Sequence, residues 1–306
     1  MKRILLLGKN GQVGRALQTA LPKTAVVMAH DRTTCDLSSP DHLRRTIRDS
    51  RPDIVINAAA YTAVDHAETD PDACFQINAS APAVIAEEAK RLDALLVHYS
   101  TDYVFDGRKP SPYVEGDAPN PLNAYGRSKL QGDQAVVAAG GRHIILRVAW
   151  VYSATGKNFA KTILRLAAER DELRIVSDQH GTPTSADQIA TATSSIIEKI
   201  INSRRLGADH HNGVYHLAPK GVTSWHGFAS ELISVAQQYG IAMCVQTNHI
   251  IPIAAKEYPT PAQRPGNSVL DTTKLQRELG VSLPDWRESV RAVVVELARP
   301  TERTAA

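Results

Sequence analysis

Four consecutive apolar residues, Ile4-Leu5-Leu6-Leu7, run without a break into Gly8-Lys9-Asn10-Gly11-Gln12-Val13-Gly14. A short apolar run bounded by glycine predicts a strand buried on both faces. Val13, Leu17 and Leu21 then recur at helical spacing until Pro22, so the glycines fill the turn between a strand and a helix. Gly8 permits the tight turn, Gly11 removes the Cβ that would block a pyrophosphate, and Gly14 lets the helix pack close to the strand. The free N–H groups and positive end of that helix suit phosphate. Asn10, Gln12 and Val13 therefore stand with the three glycines as candidate dinucleotide contacts. A strand before and a helix after is the context that raises a glycine pattern above chance.

The same rhythm continues. Val26-Val27-Met28 reads as a strand ending near His30-Asp31. Leu43 and Ile47 lie on a helix running to Ser50, and Ile54-Val55-Ile56 starts another buried strand. Ala81 to Leu92 is helical, Leu95-Leu96-Val97 runs as a strand into Ser100-Thr101, Tyr125 to Ala138 is a helix, and Ile144-Ile145-Leu146 is a strand. Residues 106–123, with Pro110, Pro112, Pro119 and Pro121, read as a loop over a site. Alternating strands and helices imply an α/β fold with a doubly wound parallel sheet and right-handed crossovers. Beyond Trp150 the rhythm loosens. Helices are expected at Asn158 to Glu169 and Ala186 to Ile201, with strands at Leu173 to Val176 and Gly213 to Leu217. The expected division is a nucleotide-binding Rossmann domain over 1–150, joined by about 185–218, and a smaller α/β substrate lobe over 151–184 and 219–306.

At the end of the second strand, Asp31 could bind the adenosine ribose hydroxyls, while Arg32 or Lys9 could face a 2′-phosphate. These residues leave NADH and NADPH both open, and a solvated turn is the plainer alternative. Asn57-Ala58-Ala59-Ala60 closes the strand begun at Ile54. Small residues at a strand's carboxyl end let a flat cofactor lie against the backbone, which makes Ala58, Ala59 and Ala60 candidate contacts.

Tyr125-Gly126-Arg127-Ser128-Lys129 is Y-x-x-x-K on a helix, and residues four apart share a face. A ketone reduced by hydride needs a proton. Tyrosine can supply it, and a neighbouring ammonium makes the phenol a stronger acid. The lysine stem can also reach the nicotinamide ribose, so Tyr125 and Lys129 serve chemistry and cofactor together. The pattern is common by chance. Its weight comes from the glycine loop and from Thr101 at a strand end, where a hydroxyl can donate to the developing alkoxide. Ser100 is the alternative donor.

Other classes fit poorly. The net charge is +3 and the basic residues are scattered, so no stripe points to nucleic acid; Arg44-Arg45 and Arg204-Arg205 read as solvated surface. Cys35, Cys74 and Cys244 are the three cysteines, too few for a disulfide framework or thiolate zinc site and best suited to a reducing cytoplasm. The 11 histidines form no metal motif, and His210-His211 reads as surface loop. The apolar run after Met1-Lys2-Arg3 stops at Gly8, too short for a signal segment or a membrane span.

Taken as a set, these segments resemble the dTDP-4-dehydrorhamnose reductases of the extended short-chain dehydrogenase/reductase family, which also use the G-x-x-G-x-x-G spacing. The likeness runs through Asn57 to Asp65, Ser100 to Gly107, Asn123 to Lys129, Trp150-Val151-Tyr152, Asn158-Phe159, Asp178-Gln179 with Gly181 and Pro183-Thr184, and Arg264-Pro265 with Ser268. It implies reduction of the 4-keto group of dTDP-4-dehydro-β-L-rhamnose by NADPH or NADH, the last step toward activated L-rhamnose for cell-surface polysaccharide. It also implies that Thr101, Tyr125 and Lys129 are catalytic and that Asp36 and Leu37 lie near the adenine. Thr62, Val64 and Trp150 would line the sugar pocket, and Asn158, Arg264 and Ser268 would face the nucleotide and diphosphate. Arg suits a diphosphate because its donors form a fixed fork.

Tyr103 stands where sugar-nucleotide 4,6-dehydratases carry an acidic residue after the Thr-Asp pair, which favours reduction over dehydration. A 4-epimerase, a GDP-fucose-type synthase, or a non-catalytic relative such as the regulatory β subunit of methionine adenosyltransferase remains compatible with the fold. Some relatives are thought to dimerise through magnesium. Asp187 and Glu296 match two of the expected carboxylates, but Ala16 replaces a third. No metal site is therefore expected, although a homodimer is compatible.

Overall fold

The structure, a computed structural model, describes residues 1–202 and 211–298; Arg204, Arg205 and His210 lie outside them. The chain begins β1 (Arg3–Leu7), α1 (Gln12–Ala20), β2 (Val26–His30), α2 (Pro40–Ser50) and β3 (Ile54–Asn57). Next come α3 (Pro71–Phe75), a π-helical turn (Gln76–Ser80), α4 (Ala81–Arg91), β4 (Leu95–Thr101), α5 (Ala124–Ala139) and β5 (His143–Val148). β6 (Val151–Tyr152), α6 (Phe159–Glu169), β7 (Leu173–Val176), β8 (His180–Gly181), β9 (Thr184–Ser185) and α7 (Ala186–Asn202) follow. The chain ends with β10 (Gly213–His216), β11 (Thr223–Ser224), α8 (Trp225–Gln238), β12 (Ile250–Ile253), α9 (Thr273–Leu279) and α10 (Trp286–Ala298).

Six strands form one parallel sheet in the order β10-β5-β4-β3-β1-β2. Successive strand residues point to opposite faces, and both faces are covered. Ile4, Leu6, Ile54, Ile56, Val97 and Leu146 pack on one side with Leu17 of α1 and Ile189 and Ile196 of α7. Leu5, Leu7, Val55, Leu96 and Ile145 pack on the other with Leu43 and Ile47 of α2, Ile85 of α4 and Val136 of α5. This double covering is why the strands read as unbroken apolar runs. The chain leaves β1 toward β2 and returns on its other side as β3, so the direction reverses at β1. Ligands of such sheets bind outside the carboxyl ends at this reversal.

Two smaller apolar clusters build the second lobe. Tyr152, Leu164, Phe228, Leu232, Trp286 and Val293 join α6, α8 and α10, and Ile163, Leu173, Ile233 and Ile250 pack β7 and β12 beneath them. Helix α7 and strand β10 return to the main sheet. Leu275, Leu279, Val281 and Leu283, in the stretch expected within the lobe, also pack against that sheet. Leu275 and Leu279 of α9, with Val281 and Leu283 in the chain after it, share a cluster with Ile189 and Ile196 of α7, a contact that local spacing does not reveal.

Candidate active site

The glycine loop sits at the reversal point. Gly8 has φ +87°, and a Cβ there would lie 2.7 Å from Ala59 N and 2.8 Å from Ala58 C. Its N–H and that of Lys9 donate to His30 O at 2.9 and 3.0 Å, tying the loop to β2. A Cβ on Gly14 would collide with the carbonyl oxygen of Gly8, so this glycine sets how closely α1 approaches β1. Gly11 differs: its nearest neighbours would be Gly8 O at 3.4 Å and Ala58 O at 3.9 Å. Protein packing does not require a glycine there. An open, exposed face at the N-cap of α1 fits the close approach of a pyrophosphate, so the cradle suits a dinucleotide.

Just after β2, Asp31 is heavily engaged. One oxygen accepts from Thr33 N at 3.0 Å, Thr33 Oγ1 at 2.7 Å and Thr34 N at 3.2 Å. The other faces Asn10 Nδ2 at 3.1 Å and Lys9 Nζ at 3.3 Å. The Thr33 hydroxyl, with Lys9 and the Thr34 N–H, holds this carboxyl well below the usual range. Arg32 beside it is exposed. Asp36 is half-buried, accepting from Ser38 N and Oγ at 2.9 and 2.7 Å, and Leu37 is buried. Ala58 and Ala59 are half-buried against the glycine loop, and Ala60 is exposed beyond them. Val13 packs on the sheet core.

Helix α5 starts under firm control. Asn123 Oδ1 accepts from Gly126 N at 2.7 Å, and Glu68 Oε1 accepts from Ala124 N at 2.6 Å, satisfying N–H groups that a helix start leaves free. Gly126 and Gly132 abut the carbonyls of Tyr103 and Asn78 so closely that a Cβ would collide. The helix is thereby pressed onto the turn after β4 and onto the π-helical turn. Lys129 Nζ, on a residue 2% exposed, donates to Tyr99 O at 2.6 Å. Burial pulls this ammonium down to about 8, with Asp133 and Cys74 opposing. Burial also pushes the Tyr125 phenol above its ordinary range, with the nearby Thr101 side chain opposing. Thr101 is 5% exposed, its hydroxyl donates to Asp102 Oδ1 at 3.0 Å, and it accepts from Tyr103 N at 3.2 Å. The Ser100 hydroxyl is committed elsewhere, donating to Asp133 Oδ2 at 2.7 Å. Of the two alternatives, Thr101 is the one whose side chain lies near Tyr125.

The other expected residues are placed less uniformly. Thr62 is exposed and Val64 half-buried on the loop after β3. Trp150 sits in the left-handed region at φ +47°, a conformation that costs a non-glycine residue about 1–3 kcal/mol and tends to mark functional sites. Its ring stacks on Trp225 with centroids 3.5 Å apart and planes 6° from parallel. A Cβ on Gly181 would lie 2.5 Å from the same indole. One face of Trp150 is thus already covered, and only what this pair leaves open can meet a ligand. Arg264 bonds Asp65 Oδ2 at 2.8 Å and contacts the Tyr103 phenol. Ser268 is buried near Asp102, whose carboxyl burial pushes up to about 6. Asn158 caps α6 through Lys161 N at 3.0 Å and donates to Gln12 Oε1 at 2.9 Å. Ser153 Oγ donates to the same Gln12 oxygen at 2.9 Å, so Gln12 ties the glycine loop to the lobe.

Several contributing residues escape a sequence reading. Asn78, on the π-helical turn, accepts from Tyr61 N at 2.9 Å and donates to Tyr61 O and Ser128 Oγ at 3.0 and 3.1 Å. It fastens the sugar-side loop to α5. Asp65, Tyr103 and Trp225 brace Arg264 and Trp150. Only Asp133 carries a local signal, standing one turn beyond Lys129.

The family model described as the RmlD substrate binding domain matches residues 1–299. A dTDP-4-dehydrorhamnose reductase of Burkholderia thailandensis is 46% identical over 295 residues, covering 96% of this chain and 99% of that protein. One from Escherichia coli K12 is 43% identical over 302 residues, covering 97% and 99%. Among solved structures, the dTDP-4-dehydrorhamnose reductase of Bacillus anthracis in complex with NADP is 33% identical, with TM-score 0.86 over 96% of this chain and 99% of that one. A UDP-glucose 4-epimerase of Brucella ovis in complex with NAD, 16% identical with TM-score 0.77 over 97% and 99%, shares the fold alone. Matched by this family model along almost its whole length, the chain belongs to the RmlD substrate binding domain family.

Proposed function

We propose that this chain reduces the 4-keto group of dTDP-4-dehydro-β-L-rhamnose with NADPH or NADH, yielding dTDP-L-rhamnose. The observation that carries this reading is the buried Lys129 one helical turn from Tyr125, held by Tyr99 O of β4, with Thr101 at the end of that strand. The relatives that match at full length, named for this reaction, support the choice of substrate.

The nicotinamide ring, when bound, supplies the hydride. Gly11 and the N-terminus of α1 hold its pyrophosphate, with Gly8, Asn10, Gln12 and Gly14 shaping the loop. Asp31 and Arg32 stand at the adenosine ribose, Asp36 and Leu37 at the adenine, and Ala58 to Ala60 flank the cofactor. Asp31 can take the ribose hydroxyls of NADH, and Arg32 the 2′-phosphate of NADPH, so both cofactors fit this end of the site. Tyr125 delivers the proton to the substrate's carbonyl oxygen as charge develops there, and Thr101 donates a second hydrogen bond. Lys129 stabilises the tyrosinate left behind and holds the nicotinamide ribose. Thr62, Val64 and Trp150 contact the sugar, and Arg264, with Asn158 and Ser268 nearby, faces the diphosphate. The chemistry belongs to the sheet domain, with the α6, α8 and α10 lobe closing over the sugar nucleotide.

Among the described residues no helix is long and apolar enough to cross a membrane. Cys35, Cys74 and Cys244 are free thiols, which supports the cytoplasm as the place of action. Mixing protein, dTDP-4-dehydrorhamnose and NADPH should remove the absorbance of the reduced nicotinamide. Tight cofactor binding with no such loss would instead favour a regulatory, non-catalytic relative.

A further inference from the structure

A buried polar cluster below the reacting face has no part in the reaction as derived so far. Asp133 follows Lys129 by one helical turn, so Tyr125, Lys129 and Asp133 form a single row along α5. Asp133 is 3% exposed. Its Oδ2 accepts from Ser100 Oγ at 2.7 Å and faces Arg147 Nε at 3.5 Å. Its Oδ1 has no hydrogen bond and faces His98 Nε2 at 3.8 Å. His98 Nδ1 in turn lies 3.1 Å from Asn57 Nδ2. With the amide donating, the ring proton falls on Nε2, directed at the carboxylate. The cluster therefore runs from Asn57, at the cofactor end of β3, to the floor beneath Lys129.

Lys129 itself touches only a neutral partner, the Tyr99 carbonyl. Among the described residues it makes no close ion pair. An ammonium this deeply buried gives up its proton unless a negative charge lies near. The groups facing the pair are His98, Tyr99 and Ser100 from β4, Arg147 from β5, Cys74 from α3, and Tyr125 from α5 itself. Cys74 is a thiol that burial pushes up, away from thiolate. His98 is held neutral by burial and by Lys129. Asp133 is the one carboxylate in this set.

We propose that Asp133 is a positioning residue of the reduction: its buried carboxylate is the counter-ion that keeps Lys129 an ammonium beneath Tyr125. The inference rests on the reductase reading above. Burial raises the Asp133 carboxyl, while Arg147, Lys129 and the Ser100 hydrogen bond push it back toward the ionised form. The net shift of the carboxyl is upward; in this proposal it carries its charge between the Arg147 guanidinium at 3.5 Å and the Lys129 ammonium one turn away.

The test is the pH profile of kcat for NADPH consumption in wild type, Asp133→Asn and Asp133→Glu. Wild-type activity should fall as Lys129 deprotonates, with an alkaline limb near 8. Asp133→Asn should move that limb toward acid by about 1 pH unit, so that the loss relative to wild type is small at low pH and roughly tenfold larger above the limb. Asp133→Glu, keeping the carboxylate, should retain the wild-type limb even at a lower rate. Wild-type turnover with an unmoved limb in Asp133→Asn overturns the counter-ion role alone. If Asp133→Asn does not fold, the Glu variant decides: a limb displaced as far as about 1 pH unit refutes the role, and a retained limb supports it. A wild type that consumes no NADPH refutes the reductase reading, and this proposal with it.

Discussion

Gly11 and Gly14 differ by one turn of the same loop, and the structure gives them opposite consequences. Gly11 has φ −70° and ψ 166°, a conformation open to alanine. The added Cβ would meet only Gly8 O at 3.4 Å and Ala58 O at 3.9 Å. Replacing an N-cap glycine by alanine costs about 1 kcal/mol or less, and the stiffer unfolded chain returns about 0.4–1 kcal/mol. Gly11→Ala should therefore melt close to wild type. Its methyl, however, would occupy the space assigned to the pyrophosphate, and overpacking of about 1–3 kcal/mol weakens NADPH binding by roughly 5- to 150-fold. Gly14→Ala places its Cβ on the Gly8 carbonyl. Rigid backbone cannot yield as a side chain can, so the same range of about 1–3 kcal/mol should appear as lost stability, a fall in Tm of roughly 2–8 °C. Thermal melts with and without NADPH, and titration of NADPH fluorescence, separate the two. Unchanged NADPH affinity in Gly11→Ala would refute the assignment of that open face to phosphate. A Gly14→Ala protein as stable as wild type would refute the packing argument.

Three further outcomes are expected. Trp225→Ala removes the ring stacked on Trp150, a contact of about 0.5–1.5 kcal/mol; KM for the sugar nucleotide should rise several-fold with NADPH affinity unchanged, and equal effects on both ligands would count against this placement. His216 is pulled from 6.5 to about 3, first by burial and then by Arg147, so the folded state binds its proton less readily than the unfolded chain. Its stabilising contribution is complete above about pH 6.5 and declines at about 1.4 kcal/mol per pH unit as pH falls toward the folded value; urea melts of His216→Gln should show a flatter loss between neutral and acid pH, and parallel curves would contradict this. Tyr125→Phe should lower kcat by about 10²- to 10⁴-fold while leaving NADPH binding near wild type, and a variant with full activity would remove Tyr125 as the acid.

Much of this architecture was legible because its causes are local. Ile4 to Leu7, Ile54 to Ile56 and Leu95 to Val97 lie in a sheet covered on both faces, so burial itself writes the unbroken apolar runs. The glycine loop was readable because Gly8 and Gly14 answer to backbone contacts within a few residues. Tyr125 and Lys129 were readable by helical spacing, and Asp133 could have been added by extending that spacing one more turn. What remained hidden depends on residues far apart in sequence. Nothing near Asn158 indicates that its amide would be spent on Gln12 and on the cap of α6. Nothing near Trp150 indicates that Trp225 would cover one of its faces. Asp31 looked free at a strand end, yet Thr33 and Thr34 fold back onto it. Leu275 and Leu283 carry apolar spacing that suits either unit, and only the tertiary packing assigns them to the sheet.

The central claim is that hydride passes from the cofactor to C4 of the sugar, with Tyr125 supplying the proton. It is tested most directly by running the reaction with NADPH deuterated at the transferable C4 position of its nicotinamide ring. The account predicts stoichiometric loss of NADPH and dTDP-L-rhamnose carrying deuterium at C4. Deuterium retained in the cofactor, or sugar interconverted without net NADPH consumption as in an epimerase, would contradict it.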